Sequence, residues 1–168
     1  MPFRPFENQN CSIARAAEVF TERWTVLIMR EILLGRSRFT EIKRNTGVAS
    51  NILSDRLQML VDQGVVARVD EIEDGQVVDR YRPTQKGLDA RPIMMAMLAW
   101  GDKYAAPDGA PREIVHEDCG NVVHAKMVCD TCGGELTERN TTLRPGPGAN
   151  ERQRAEGEIG PRVHRVAT

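Results

Sequence analysis

The sequence predicts a mainly α-helical fold with a small β-hairpin, and three adjoining segments carry that prediction. A short helix over residues 39–45 and a longer one over residues 50–63 are separated by a brief glycine-containing turn. Alternating segments over residues 65–69 and 77–82 then flank an Asp74-Gly75 pair, which favours a two-residue hairpin turn. Helix, tight turn, helix and hairpin in that order form a winged helix-turn-helix, which places its second helix in the major groove of DNA.

Two helices are expected before this unit. Ser12 can cap the first of them, and the apolar residues that fall on one of its faces are Ile13, Ala16, Ala17 and Phe20. The second helix is expected over residues 22–34, because Gly35 follows as a stop signal. Its residues at helical spacing are Trp24, Leu27, Ile28 and Glu31.

A further helical segment is expected after the hairpin. Thr84 can cap its start, and Pro92 either kinks or restarts it. The run over residues 93–100 is apolar nearly all round, so this helix needs a cover, and a partner subunit is the obvious one. The sequence therefore predicts a homodimer.

The second helix of the helix-turn-helix has two faces. Its expected buried stripe is Leu53, Leu57 and Leu60, and the residues that then face outward together are Asn51, Asp55 and Gln58. Asn can pair in bidentate fashion with adenine, whereas Lys and Arg hold phosphates and add affinity with little sequence information. The expected DNA-binding residues are Arg38, Lys43, Arg44, Ser50, Asn51, Ile52, Ser54, Arg56, Arg80 and Arg82.

Charge is distributed unevenly along the chain. The 168 residues carry a net charge of −1, which is low for a DNA-binding protein, but residues 35–56 hold five basic and two acidic residues. The wing tip is acidic, with carboxylates at Asp70, Glu71, Glu73 and Asp74. Since DNA repels carboxylates, we expect the strand arginines to contact DNA while the tip stays in solvent.

Composition excludes several classes of protein. A hydrophobic fraction of 40% is enough for a core, no apolar run has the length of a membrane span, and the start has no signal-peptide pattern. We therefore expect a cytoplasmic protein without membrane contact. No Ser-His-Asp set, phosphate loop or paired carboxylate site occurs in the sequence, so an enzyme is not expected.

Seven short segments between Cys11 and Tyr104 match one known pattern, in order and without large gaps. They are residues 11–16, 23–35, 38–42, 53–57, 64–66, 81–87 and 100–101. Together they resemble the HxlR family of bacterial winged-helix regulators. The resemblance implies a homodimeric repressor or activator whose end helices build the dimer, and a dimer of this kind is expected to read an inverted repeat.

A second constellation lies nearer the end of the chain. Residues 116–120 and 129–133 repeat one pattern, in which a His or Cys is followed by two spacers, a Cys and a Gly. The glycine lets the backbone turn so that amides after the Cys can face its sulfur. The pattern predicts a small zinc ribbon with one structural zinc per chain, and the expected ligands are His116, Cys119, Cys129 and Cys132. His124 can replace His116 but breaks the repeat, and unliganded thiols are the other alternative.

The sequence accordingly predicts three regions. Residues 1–106 form a winged helix-turn-helix domain for DNA binding and dimerisation, and residues 107–143 form a zinc-ribbon-like module. Residues 112–139 hold three basic and six acidic residues, which argues for a structural or protein-contact role of that module. Residues 144–168 are rich in Pro, Gly and charge and are expected to be a disordered tail.

Cys11 is left outside the predicted zinc set. In the resembling family the Cys at this position serves in some members as a redox or electrophile sensor, and amides at a helix start favour a thiolate. The alternative is a small residue packed at the dimer interface. In the same way, Met94, Met95 and Met97 are either core residues or the lining of an adaptable pocket for a small-molecule effector.

The leading interpretation is a dimeric DNA-binding transcriptional regulator, expected to be a repressor and to respond to an effector or to redox conditions. A MarR-like ligand-responsive repressor is one alternative, although that type has longer dimerisation helices than this chain shows. A protein-interaction module is the other, in which the winged helix and the acidic ribbon bridge partners.

Overall fold

The computed structural model describes residue 6 and residues 9–160, and the chain divides after Ala105 into two compact units. The described part of the first unit is mainly helical and contains one two-stranded antiparallel sheet, as predicted. Its elements are α1 Ser12–Phe20, α2 Arg23–Leu33, α3 Phe39–Thr46, α4 Ser50–Asp62, β1 Val66–Glu73, β2 Gln76–Pro83, α5 Gln85–Leu88 and α6 Arg91–Tyr104. Across the described residues, no helix is both long and apolar enough to cross a membrane.

The core of the first unit is formed by apolar side chains of α2, α3, α4 and β1. Ile28 and Met29 from α2 and Ile42 from α3 are fully buried. They pack with the predicted stripe of α4, which is Leu53, Leu57 and Leu60. Burial of this stripe fixes the rotation of α4 about its axis, so the opposite face of the helix is left to solvent.

The helix ends follow the glycine signals, with one difference at the start of α1. Gly47 and Gly64 adopt positive φ values of 70° and 65° directly after α3 and after the end of α4. The predicted cap Ser12 is instead the first helical residue, because Cys11 takes the N-cap position with an extended backbone (φ −142°). No side chain caps this helix end.

The segment after the hairpin forms two helices. The Thr84 side chain accepts a hydrogen bond from the Gly87 amide and caps α5, as predicted. Pro92 lies in the first turn of α6, so it restarts the helix and does not kink it. No residue of α6 is buried within the chain.

The wing is longer than the sequence predicts. β1 and β2 pair over eight residues each, with Glu73 opposite Gln76. The loop is therefore the predicted pair Asp74-Gly75, and both residues have positive φ, 49° and 77°, as a type I′ turn requires. Asp70, Glu71 and Glu73, which we expected in a solvated tip, therefore lie in β1, and only Asp74 lies in the turn.

The second unit contains two short hairpins and one short helix. β3 Ile114–His116 pairs with β4 Asn121–Val123, and a second turn is closed by an antiparallel bridge between Val128 and Glu135. Helix α7 Glu151–Glu156 follows. None of the residues described in this unit, 106–160, is buried.

The structure differs from the predicted disordered tail over residues 144–160. Asn150 and Gln153 cap the start of α7 reciprocally, each side chain accepting from the backbone amide of the other. Arg154 donates to the carbonyl oxygens of Ala149 and Pro147 at 3.1 and 3.3 Å. These polar bonds order a segment that has too few apolar residues to form a core. The rest of the predicted tail, 161–168, lies outside the described residues.

Candidate nucleic-acid interface

A short turn sets the position of α4 relative to α3. Val48 in the middle of this turn is 1% exposed and belongs to the core cluster. The Ala49 carbonyl accepts from the Leu53 amide at 2.9 Å and opens the hydrogen-bond ladder of α4. Because the turn is anchored by a buried side chain, the start of α4 is held rigidly beside the end of α3.

The face of α4 opposite its leucine stripe is polar and exposed. The exposed residues are Ser50, Asn51, Ser54, Asp55 and Gln58, which include the three expected to face outward together. Ile52 differs from its neighbours because it is half-buried and packs against the core. Among the predicted base-contacting residues, Ser50, Asn51 and Ser54 are therefore the accessible ones.

The predicted phosphate contacts differ in how free their charges are. Lys43 and Arg44 lie exposed in the last turn of α3 and form no ion pair with any residue that the structure describes. Arg56 is half-buried, and its guanidinium lies 3.3 Å from a carboxylate oxygen of Glu22 just before α2. The most available positive charge of the helix-turn-helix is thus at the end of α3.

The predicted arginines of the wing are engaged by the wing's own carboxylates. Arg82 donates to both oxygens of Glu71 at 2.9 Å. Arg38 and Arg80 both donate to Glu73, and the Arg80 side chain is only 14% exposed. These residues are therefore held in ion pairs, and their contact with DNA remains a prediction.

These ion pairs keep the wing carboxyls charged. The hydrogen bond from Arg82 holds the pKa of Glu71 below its ordinary value, and that from Arg38 does the same for the pKa of Glu73. Residues 66–83 hold three arginines and five carboxylates, so the wing carries a net charge of −2. A DNA phosphate would have to compete with Glu71 and Glu73 for the wing arginines.

The buried carboxylate of Glu31 connects α2 to the helix-turn-helix, a role that the sequence did not predict. Glu31 is 1% exposed and accepts hydrogen bonds from Arg36 at 2.6 Å, Arg30 at 2.8 Å and Asn45 at 2.9 Å. Burial acts to raise the pKa of Glu31, but the hydrogen bonds from Asn45, Arg30 and Arg36 outweigh it and bring the pKa below its ordinary value. The signal for this residue was its helical spacing with apolar residues of α2.

The four predicted zinc ligands lie in two pairs. Nδ1 of His116 is 3.3 Å from Sγ of Cys119, and Cys132 lies close enough to Cys129 to lower the pKa of its thiol. No group of three or more His, Cys, Asp or Glu side chains close enough to hold one metal ion is found among the described residues. The structure forms each half of the predicted ligand set and does not bring the halves together.

Backbone amides face two of these sulfurs, as the knuckle pattern predicts. The amide of Asn121 donates to Cys119 and holds the pKa of its thiol below the ordinary value. The amides of Cys132 and then Thr131 do the same for the pKa of Cys129. The Cys-Gly turns thus create local environments that stabilise thiolates.

The remaining candidates lie near α1 and α6. Cys11 is a free, half-buried thiol at the start of α1. An open cavity of about 550 Å³ lies in the first unit, and side chains such as Phe20, Val65 and Ile93 line it. None of the three methionines named above is part of that lining.

Comparison with known proteins connects this geometry with regulators of transcription. The profile of the HxlR-like helix-turn-helix family matches residues 19–109. The HTH-type transcriptional regulator Rv3095 of Mycobacterium tuberculosis is 41% identical over 138 residues, which is 82% of this chain and 87% of the relative. A continuous stretch of that length in this chain includes residues 31–138 wherever it begins, so the match extends into the second unit.

Two solved structures described as transcription factors share the architecture. PA1374 of Pseudomonas aeruginosa is 35% identical, with a TM-score of 0.60 over 87% of this chain and 99% of the other. PA1607 is 31% identical, with a TM-score of 0.73 over 84% of this chain and 98% of the other.

Proposed function

This chain belongs to the HxlR-like helix-turn-helix family, and we propose on that premise that it is a homodimeric transcriptional repressor that reads an inverted-repeat operator. The observation that carries the proposal is the exposed polar face of α4 opposite a fully buried leucine stripe. A helix held in this way at the second position of a helix-turn-helix has its polar face free to enter the major groove.

Base reading is assigned to the start of α4. Asn51 is exposed, and its side-chain amide can pair in bidentate fashion with an adenine. Ser50 and Ser54 offer hydroxyl groups that accept or donate with little preference. Lys43 and Arg44 supply phosphate contacts without first leaving an ion pair, whereas Arg56 has to exchange Glu22 for a phosphate.

Dimerisation is assigned to α6 together with α1. Ile93, Met97, Trp100 and Tyr104 are between 41% and 65% exposed and recur at spacings of four, three and four residues, which places them on one face of α6. On α1, Ile13 is 80% exposed. An apolar stripe of this kind on a helix with no buried residue fits a second copy of the same stripe related by a two-fold axis.

The test compares two variants on operator-like DNA fragments from the region upstream of the gene. Asn51→Ala is expected to lower discrimination between the preferred fragment and single-base changes by about 1–3 kcal/mol. Arg44→Ala is expected to weaken binding about equally on all fragments and to make the salt slope shallower by about 0.9. Fluorescence anisotropy at several salt concentrations measures both quantities.

Two results would contradict the proposal. Equal loss of discrimination in Asn51→Ala and Arg44→Ala would mean that α4 is not the reading helix. Failure of the intact chain to bind any upstream fragment would favour the protein-bridging alternative.

A further inference from the structure

The second unit has a defined backbone but no hydrophobic core. No residue described between 106 and 160 is buried, and Val115, Met127 and Leu143 are between 52% and 74% exposed. A segment this small normally needs a disulfide, a metal ion or a partner to hold its fold. Its three cysteines are free thiols, so a disulfide does not supply the missing stabilisation.

Two turns in this unit have the same backbone geometry. The Gly120 amide donates to the His116 carbonyl at 2.8 Å, and the Gly133 amide donates to the Cys129 carbonyl at 2.8 Å. Both glycines adopt positive φ, 68° and 71°. Each turn lies at the end of a short hairpin, the first between β3 and β4 and the second inside the bridge of Val128 and Glu135. The sequence repeat is thus a structural repeat.

The first turn holds its two donor atoms close to the spacing that they would have on one metal ion. Nδ1 of His116 and Sγ of Cys119 are 3.3 Å apart, and two such atoms bound to one tetrahedral zinc lie about 3.6 Å apart. An Asp118 carboxylate oxygen lies 3.6 Å from Nε2, the other ring nitrogen of His116.

We propose that one structural zinc ion binds between the two turns, held by His116, Cys119, Cys129 and Cys132. Three sulfur donors and one imidazole select zinc, and four protein ligands leave no open position for catalysis. A metal ion held by all four side chains would cross-link the two hairpins of a unit that has no apolar core. This inference does not depend on the proposed function.

The experiment uses the full-length chain purified without added metal. Elemental analysis is expected to find about one zinc per chain. Thiol titration under native conditions is expected to detect only Cys11, and the three remaining cysteines should react after denaturation in the presence of a chelator. Cys129→Ser and His116→Ala should lose most of the zinc, whereas the matched controls Cys11→Ser and His124→Ala should retain it.

Each other outcome overturns the inference in a defined way. A wild-type chain without stoichiometric zinc, or with iron in its place, excludes a zinc site. If His124→Ala loses zinc and His116→Ala retains it, the imidazole ligand is His124, and the proposed ligand set is wrong. In case a variant misfolds, cobalt is substituted into the wild-type chain, and a spectrum without thiolate-to-cobalt charge transfer also excludes the site. DNA binding measured on the same samples reports separately on the proposed function.

Discussion

The ion pairs of the wing predict that Glu73→Gln strengthens binding to non-specific DNA. The Glu73 carboxylate accepts from both Arg38 and Arg80, so one carboxylate holds these two guanidinium groups in ion pairs within the protein. Glutamine keeps the size of the side chain and removes its charge. Both arginines then lose their strongest acceptor and become available to phosphate oxygens.

The size of the effect follows from counterion release. Each arginine that gains a phosphate steepens the dependence of log K on log salt by about 0.9. The ratio of the affinity at about 50 mM salt to that at about 200 mM salt therefore rises about 3.5-fold for one added contact and about 12-fold for two. Arg38 is 38% exposed and Arg80 only 14%. We therefore expect Arg38 to gain a full phosphate contact and Arg80 a partial one. The salt slope should then steepen by an amount that corresponds to between one and two added contacts.

The assay is fluorescence anisotropy on a duplex without operator sequence, repeated across that salt range. Asp70→Asn is the matched control, because it removes the same charge from the same hairpin without releasing Arg38 or Arg80. The reasoning is refuted if both variants change the salt slope equally, since the effect would then be only one of net charge. Weaker binding by Glu73→Gln would also refute it and would mean that the ion pairs hold the wing in its binding position.

Three further predictions concern stability, assembly and redox response. The folded-state pKa of Glu31 lies below its ordinary value of 4.5, so its stabilising contribution is present above that pH and is lost as the pH falls through the folded-state pKa. The urea midpoint of the wild type should therefore exceed that of Glu31→Gln at neutral pH, and the gap should narrow on acidification. Met97→Arg should give a monomer by light scattering at micromolar concentration, whereas Ile72→Arg on the wing should leave the oligomeric state unchanged. Treatment with diamide should lower the operator affinity of the wild type and not that of Cys11→Ser, and an equal response of both would show that Cys11 is only a packed residue.

Much of the DNA-facing geometry could be predicted because it depends on local rules. The leucine stripe of α4 follows from helical periodicity, and the Asp74-Gly75 turn follows from the backbone that a two-residue hairpin demands. The turn also fixes the register, with Val69 opposite Arg80 and Glu71 opposite Val78. That register places Glu71 diagonally across from Arg80 on one face of the hairpin. The contact between these two side chains could therefore have been predicted from the turn and the strand register.

Other features depend on contacts between distant segments. Arg38 reaches Glu73 across 35 residues of sequence, and no local pattern indicates which of the wing carboxylates it chooses. The Glu31 cluster likewise joins α2 to Asn45 in α3. In the second unit the sequence predicted both turns. No apolar core sets the distance between them, so the sequence could not predict how far apart the two ligand pairs lie.

The charge pattern of the first unit also shows where positive charge is available for contact with DNA. Free positive charge is concentrated at Lys43 and Arg44 beside the exposed start of α4. The wing has a net negative charge, and its arginines form ion pairs with its own carboxylates. In the dimer that we propose, two copies of α4 would engage two half-sites at once and would share the discrimination between sequences. Since half-site spacing must match the turn of the DNA, small movements at α1 and α6 would shift both reading helices out of register. In the proposed dimer the exposed apolar stripe of α6 would therefore contribute to operator recognition by setting the distance between the two copies of Asn51.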